Sequence, residues 1–166
     1  MEAAEGSDLN HLKEDDPLYD AEKNSVENPE FLQQVADLQV LDFICGNVDR
    51  HKGNMIYQLQ SAEGNAPVFT GVKGIDNDCS FGTPEIKEGK KIMKMVSPES
   101  MQFITPSMFV KVKSLEKDMF TFTLENNDIT KEEIEAAWDR VEKVRDALEN
   151  GKIKIINKND WQKEKN

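Results

Sequence analysis

Between residues 28 and 82 the chain reads helix, loop, strand, turn, strand, aspartate, and this order constrains the fold more than any other feature. Asn28-Pro29-Glu30 is a helix start: a side-chain cap, a proline where no backbone N–H is needed, and an acid in the first turn. Phe31, Val35, Leu38, Leu41 and Cys45 recur at helical spacing with Leu32 and Ile44 alongside, and Gly46 stops the run. A polar loop follows at once, Asn47-Val48-Asp49-Arg50-His51-Lys52-Gly53-Asn54. Met55–Leu59 reads as a strand, Glu63–Pro67 as a turn and Val68–Ile75 as a second strand, making a hairpin over 55–75. A hairpin returns the chain to where it began. The loop at 47–54 is therefore expected beside the loop at 76–82, Asp76-Asn77-Asp78-Cys79-Ser80-Phe81-Gly82.

Those two loops hold an aspartate five positions before an asparagine, and a second aspartate at the end of an apolar strand. Phosphoryl transfer from ATP uses such a trio. One carboxylate orients the acceptor hydroxyl and takes its proton, while an asparagine and a second carboxylate hold Mg²⁺ against the phosphates. Asp, Asn and Gly also gather in ordinary turns, because they tolerate unusual backbone angles and cap themselves. Either loop alone reads equally well that way; the pair, with a helix before it and a hairpin between, favours a site.

The rest of the chain is plainer. Its net charge of −11 is uneven: residues 1–30 hold ten acids and two bases, leaving 22 acids and 19 bases for the remainder. Residues 1–27 are acidic and without apolar periodicity, a flexible leader. A nearly neutral remainder lacks the clustered basic face of a nucleic-acid binder. No apolar run is long enough for a membrane span, and no basic stretch leads into an apolar one as in a secretory signal. Cys45 and Cys79 have no metal or disulfide spacing, which fits a reducing, cytoplasmic setting, with export by a route that needs no signal peptide left open. Zinc ligation by Cys45, His51 and Cys79 is the weaker reading against a packing role. Residues 84–97 are Lys-rich, and one or two helices interrupted at Pro106 are expected between Pro98 and Phe122. Thr130-Lys131-Glu132-Glu133 is a capping box. Ile134, Trp138, Val141 and Leu148 then line one helix face, which Gly151 closes. Lys152–Ile156 reads as a short strand or extended tail, and residues 161–166 as a polar tail.

Asp49-Arg50-His51-Lys52-Gly53-Asn54, together with Ile75-Asp76-Asn77 and the trailing Phe81, resembles the phosphatidylinositol 3- and 4-kinase superfamily and its atypical kinase relatives. It is closest in flavour to type II phosphatidylinositol 4-kinases, actin-fragmin kinase and HipA-like kinases. The resemblance covers roughly residues 30–82 and implies an α+β, mainly α fold: a kinase-like C-terminal lobe over residues 28–160 with a small hairpin between catalytic loop and metal-binding aspartate. It implies Asp49 as the catalytic aspartate, Asn54 and Asp76 as ligands of Mg²⁺ (or Mn²⁺), and His51 near the transferred phosphate. Arg50 belongs to the same catalytic motif, and a structural role, pairing with a carboxylate to hold the loop, stays open beside it. Asp78 reads either as a further metal ligand or as a solvated loop acid. The lysines Lys87, Lys90, Lys91 and Lys94 fall where such a fold keeps its activation segment, and are candidates for an anionic headgroup as well as for a solvated loop. Ser97-Pro98-Glu99 loosely matches the end of a protein-kinase activation segment, which keeps a protein substrate in play. The 22-residue step from Asn54 to Asp76 is longer than in ordinary protein kinases, and the Ser61–Pro67 turn absorbs the excess.

The expected reaction is transfer of the γ-phosphate of ATP to a hydroxyl on a protein or a phosphoinositide. No Gly-rich phosphate loop and no strand lysine precede Phe31, so the chain is expected to be weakly active or inactive alone. The favoured expectation is that the chain is the C-terminal part of a longer protein; the alternatives are a small lobe supplied by a separate chain, or a domain that keeps catalytic residues while binding nucleotide weakly or not at all. The rival to an enzyme is a non-catalytic module that binds nucleotide or a partner through a kinase-derived fold.

Overall fold

Asn28 caps the first helix, α1 (Pro29–Cys45): its Oδ1 accepts the backbone N–H groups of Glu30 at 2.9 Å and Phe31 at 3.4 Å. At the other end Gly46 takes a left-handed backbone, φ 68°, so that its N–H reaches the Phe43 carbonyl while the Asn47 N–H reaches that of Asp42. These two bonds satisfy carbonyls that the helix end would otherwise leave bare. A computed structural model describes residues 28–60, 68–82 and 101–161. The expected leader (1–27), the turn at 61–67, the Lys-rich segment with Lys87, Lys90, Lys91 and Lys94, and tail residues 162–166 lie outside the described residues. What is described is α+β and mainly helical, and none of its helices is long and apolar enough to cross a membrane.

The chain divides into two compact units. The described parts of the first are residues 28–35, 50–60, 68–76 and 157–161. Here β1 (Met55–Gln60) pairs antiparallel with β2 (Val68–Gly74), Met55 opposite Gly74 and Tyr57 opposite Val72, with an irregularity between Gln58 and Leu59. Phe31 stacks on Tyr57 with ring centroids 5.6 Å apart, and Val35, Met55 and Val72 pack around the pair. Gln34 lends α1 to the ribbon: its Nε2 donates to the Thr70 carbonyl at 3.1 Å and its Oε1 accepts the Val72 N–H at 3.0 Å. This close approach requires glycine at 71, where a Cβ would stand 2.7 Å from Gln58 Oε1 and 2.8 Å from Gln34 Oε1.

The second unit holds residues 36–49, 77–82 and 101–156. Its two-residue strands β3 (Phe103–Ile104) and β4 (Lys154–Ile155) pair in parallel. Between them run α2 (Pro106–Ser114), α3 (Lys117–Glu125) and α4 (Lys131–Glu149). Val40, Ile104, Val141 and Val144 are fully buried, with Phe43, Met101 and Met108 in the same cluster. Each such side chain contributes about 1.5–3 kcal/mol through burial. The capping box of α4 is formed as its sequence predicts, Thr130 Oγ1 accepting the Glu133 N–H and the Glu133 carboxylate accepting the Thr130 N–H.

Two expectations need correcting. Of the α1 positions marked by helical spacing, Phe31 is buried, but Val35, Leu38 and Cys45 are only half-buried and Leu41 is 46% exposed, while Ala36, Val40, Phe43 and Ile44 are buried. The helix is apolar on several sides, so periodicity alone does not select its core face. Pro106, expected to interrupt a helix, opens α2, with Thr105 as its cap. A first-turn N–H has no intrahelical partner, so a proline there loses nothing.

Candidate active site

The hairpin of the first unit joins two of the predicted site residues through backbone. Asn54 ends a single 3₁₀ turn, Lys52–Asn54, immediately before β1, and Asp76 lies two residues past the end of β2. The Ile75 N–H donates to the Asn54 carbonyl at 2.9 Å, extending the ladder by one rung beyond Met55 and Gly74. Arg50 braces this rung. Its Nη1 donates to the carbonyls of Asn54 at 2.6 Å and Ile75 at 2.7 Å, so one guanidinium nitrogen holds the backbone on both sides. Arg50 thus grips backbone carbonyls, which a cationic fork does well at short range.

Asp76 itself has φ 53°. Only Gly, Asn and Asp visit this left-handed region at small cost, and a residue held there costs roughly 1 kcal/mol or more elsewhere in the set. The carboxylate is exposed, whereas Asn54 is only 6% exposed. Magnesium takes oxygen donors and completes its shell with water and phosphate. An amide from Asn54 and a carboxylate from Asp76, carried on backbones hydrogen-bonded one residue away, are donors of that class. Among the described residues no group of three or more His, Cys, Asp or Glu gathers as a metal cluster. His51 caps the 3₁₀ turn, its Nδ1 accepting the Gly53 N–H at 3.0 Å. With Nδ1 an acceptor, the neutral ring carries its proton on Nε2.

Asp49 belongs to the second unit, as do Asn77 and Asp78. Asn47, 4% exposed, bonds to Asp49 and Asn77. Its Oδ1 accepts the Asp49 N–H at 2.9 Å, the side-chain turn that an Asn two residues upstream makes by itself. Its Nδ2 points the other way, 3.3 Å from Asp42 Oδ1 and 3.5 Å from Asn77 Oδ1. Asp42, also 4% exposed, holds Asn47 twice, since its carbonyl accepts the Asn47 N–H at 2.8 Å. Asp78 and Cys79 are exposed, and Asp49 is half-buried.

Beneath this loop Arg140 of α4, 6% exposed, donates from Nε to the Ile44 carbonyl at 2.9 Å. A positive group at the end of a helix offsets the partial negative charge of its last carbonyls. Burial presses the Arg140 guanidinium below the usual arginine range, with Cys45 and Asp139 acting against it. Its Nη2 is buried and has no hydrogen-bond partner among the described residues. A Cβ on Gly46 would stand 2.8 Å from Arg140 Cζ, so any larger residue there must displace the guanidinium. Phe81, φ 62°, is tied to the same turn by its N–H, 2.6 Å from the Cys45 carbonyl. Asp37 anchors the start of α2, accepting from the Thr105 N–H at 3.2 Å and from its hydroxyl at 2.8 Å. Burial raises the Asp37 carboxyl above its usual range, and the Thr105 hydrogen bonds only partly offset this.

Of the predicted site residues, Arg50, His51, Asn54 and Asp76 fall in the first unit and Asp49 and Asp78 in the second. Sequence reasoning passed over Asn47, Asp42 and Arg140. The Asn-x-Asp spacing was a signal for the first; a buried arginine on a charged helix carries none. In comparison with known proteins, the family model described as phosphatidylinositol 3- and 4-kinase matches residues 6–130 of the 166. Neither a curated protein nor a solved structure shows significant similarity to the chain.

Proposed function

Because this chain belongs to the phosphatidylinositol 3- and 4-kinase family, whose members in general use ATP and Mg²⁺, we propose that it carries the catalytic residues of a phosphotransferase. The reaction is transfer of the γ-phosphoryl group of ATP to a hydroxyl of a protein or phosphoinositide. Asp49 orients the acceptor hydroxyl and takes its proton as the oxygen bonds to the γ-phosphorus and the bond to the β-phosphate oxygen breaks. Asn54 and Asp76 hold the metal, which when bound neutralises charge on the phosphates. His51 offers the Nε2 proton to a phosphate oxygen. Arg50 acts through the backbone it grips, and Asp78 serves as a solvated neighbour of the metal loop.

The observation that supports this reading most is the rung between Asn54 and Ile75, with Arg50 bonded to both carbonyls. A turn that was merely polar would need no cation spent on fastening two carbonyls 21 residues apart in sequence. The test is calorimetric titration of the chain with ATP, with and without Mg²⁺. Asp76→Asn is the clean variant, since asparagine tolerates the same backbone angle and removes only the charge. Expected is Mg²⁺-dependent binding weakened by about tenfold or more in Asp76→Asn, as for loss of a charged ligand worth over about 1.4 kcal/mol. Binding indifferent to Mg²⁺ and to the substitution, or no binding at all, refutes the proposal.

A further inference from the structure

Asn47 is a buried amide that uses both of its ends. Its oxygen takes the N–H of Asp49, and its nitrogen is directed at Asp42 and Asn77. The Asp42 carbonyl separately closes α1 through the Asn47 backbone. The side chain adds a second connection, between the backbone of Asp49 and the side chain of the residue that follows Asp76 in sequence. The orientation is fixed by the Asp49 N–H, which can only donate, so Oδ1 must face it and Nδ2 faces Asp42.

We propose that Asn47 is a positioning residue for the phosphoryl transfer, holding the Asp49 backbone and the Asn77 side chain in one arrangement through a single carboxamide. This rests on the functional reading above, and it assigns Asn47 no contact with substrate. Its action is geometric: a base displaced by even about 1 Å from its acceptor loses much of its effect. Asp42 anchors the nitrogen end of the carboxamide.

Three variants separate the two ends of the amide. Asn47→Ala removes both. Asn47→Ser keeps an oxygen that can accept the Asp49 N–H but is too short to reach Asn77. Asn77→Ala removes the far partner and leaves the Asn47 carboxamide in place, at an exposed position. The first readout is amide hydrogen exchange at Asp49 in the metal-free chain. It should accelerate by about fivefold to tenfold in Asn47→Ala, the worth of one hydrogen bond, and stay near wild type in Asn47→Ser and Asn77→Ala. The second is the affinity for ATP with Mg²⁺. It should fall severalfold in all three, and Asn47→Ala combined with Asn77→Ala should be no worse than Asn47→Ala alone, as for two groups acting as one.

Unchanged exchange at Asp49 in Asn47→Ala overturns the inference. So does wild-type nucleotide affinity in Asn47→Ser and Asn77→Ala, the two variants that keep an acceptor for the Asp49 N–H. Absence of Mg²⁺-dependent binding in the wild-type chain overturns the functional reading itself, and that outcome is distinct because it precedes any comparison of variants.

Discussion

Arg50→Ala is the substitution most directly priced by the structure. One nitrogen, Nη1, makes both contacts, at 2.6 and 2.7 Å, one hydrogen to each carbonyl. Hydrogen bonds with a charged donor contribute about 1.5–3 kcal/mol each. Arg50 is half-buried, so water replaces part of what is lost. The two carbonyls also differ, since that of Asn54 keeps the Ile75 N–H as a second donor. A net loss of about 2–4 kcal/mol follows, which moves a urea midpoint down by about 1–2 M. Arg50→Lys should recover only part of it, because the lysine stem is one bond shorter and ends in a point charge. The local signature is faster amide exchange at Ile75, whose N–H donates to the Asn54 carbonyl. If Arg50→Ala unfolds at the wild-type midpoint and Ile75 keeps its protection, the bracing role assigned to Arg50 is wrong.

Two further outcomes can be checked by denaturation. Gly46→Ala combines a left-handed backbone, φ 68°, with a Cβ placed 2.8 Å from Arg140 Cζ, and should cost more than the roughly 1–2 kcal/mol of backbone strain alone; a smaller loss would mean that Arg140 moves aside freely. Asp37 has its pKa raised on folding, so the folded state holds its proton more tightly than the unfolded chain. Its contribution is therefore fully present below the ordinary aspartate range, about pH 4, and is lost as pH rises through the raised folded value. Asp37→Asn, which keeps an oxygen for Thr105, should flatten that part of the stability–pH curve; an unchanged curve refutes the assignment.

The local signals in the sequence translated well where one residue decides the outcome. Asn28 and Pro29 start α1, Gly46 and Gly151 end α1 and α4, and the Thr130–Glu133 box opens α4, because caps and left-handed stops depend on residues a few positions apart. What failed needed tertiary partners. The buried face of α1 is chosen by what packs against Val40, Phe43 and Ile44, because its apolar residues are spread over more than one side of the helix. Gln34 bonds residues 36 and 38 positions away, and Arg140 one 96 positions away, distances at which a polar letter in the sequence says nothing about its partner. Among the candidate residues, Asp49, Asn54 and Asp76 were marked by their spacing, but the bonds to their backbone, from Arg50 to the Asn54 carbonyl and from the Asp49 N–H to Asn47, pair side chain with main chain. Such contacts leave no complementary residue to find.

The carboxamide of Gln34 has a consequence for how this ribbon meets other chains. A strand with one free edge presents outward-facing N–H and C=O groups that invite a further strand, a route to aggregation that natural sheets take care to close. On β2 the outward pair at Thr70 and Val72 is already engaged by a helix side chain that mimics a neighbouring peptide unit. Any incoming strand must first evict it, so this stretch of edge is closed by one amide where other sheets use a proline, a charge or a bulge.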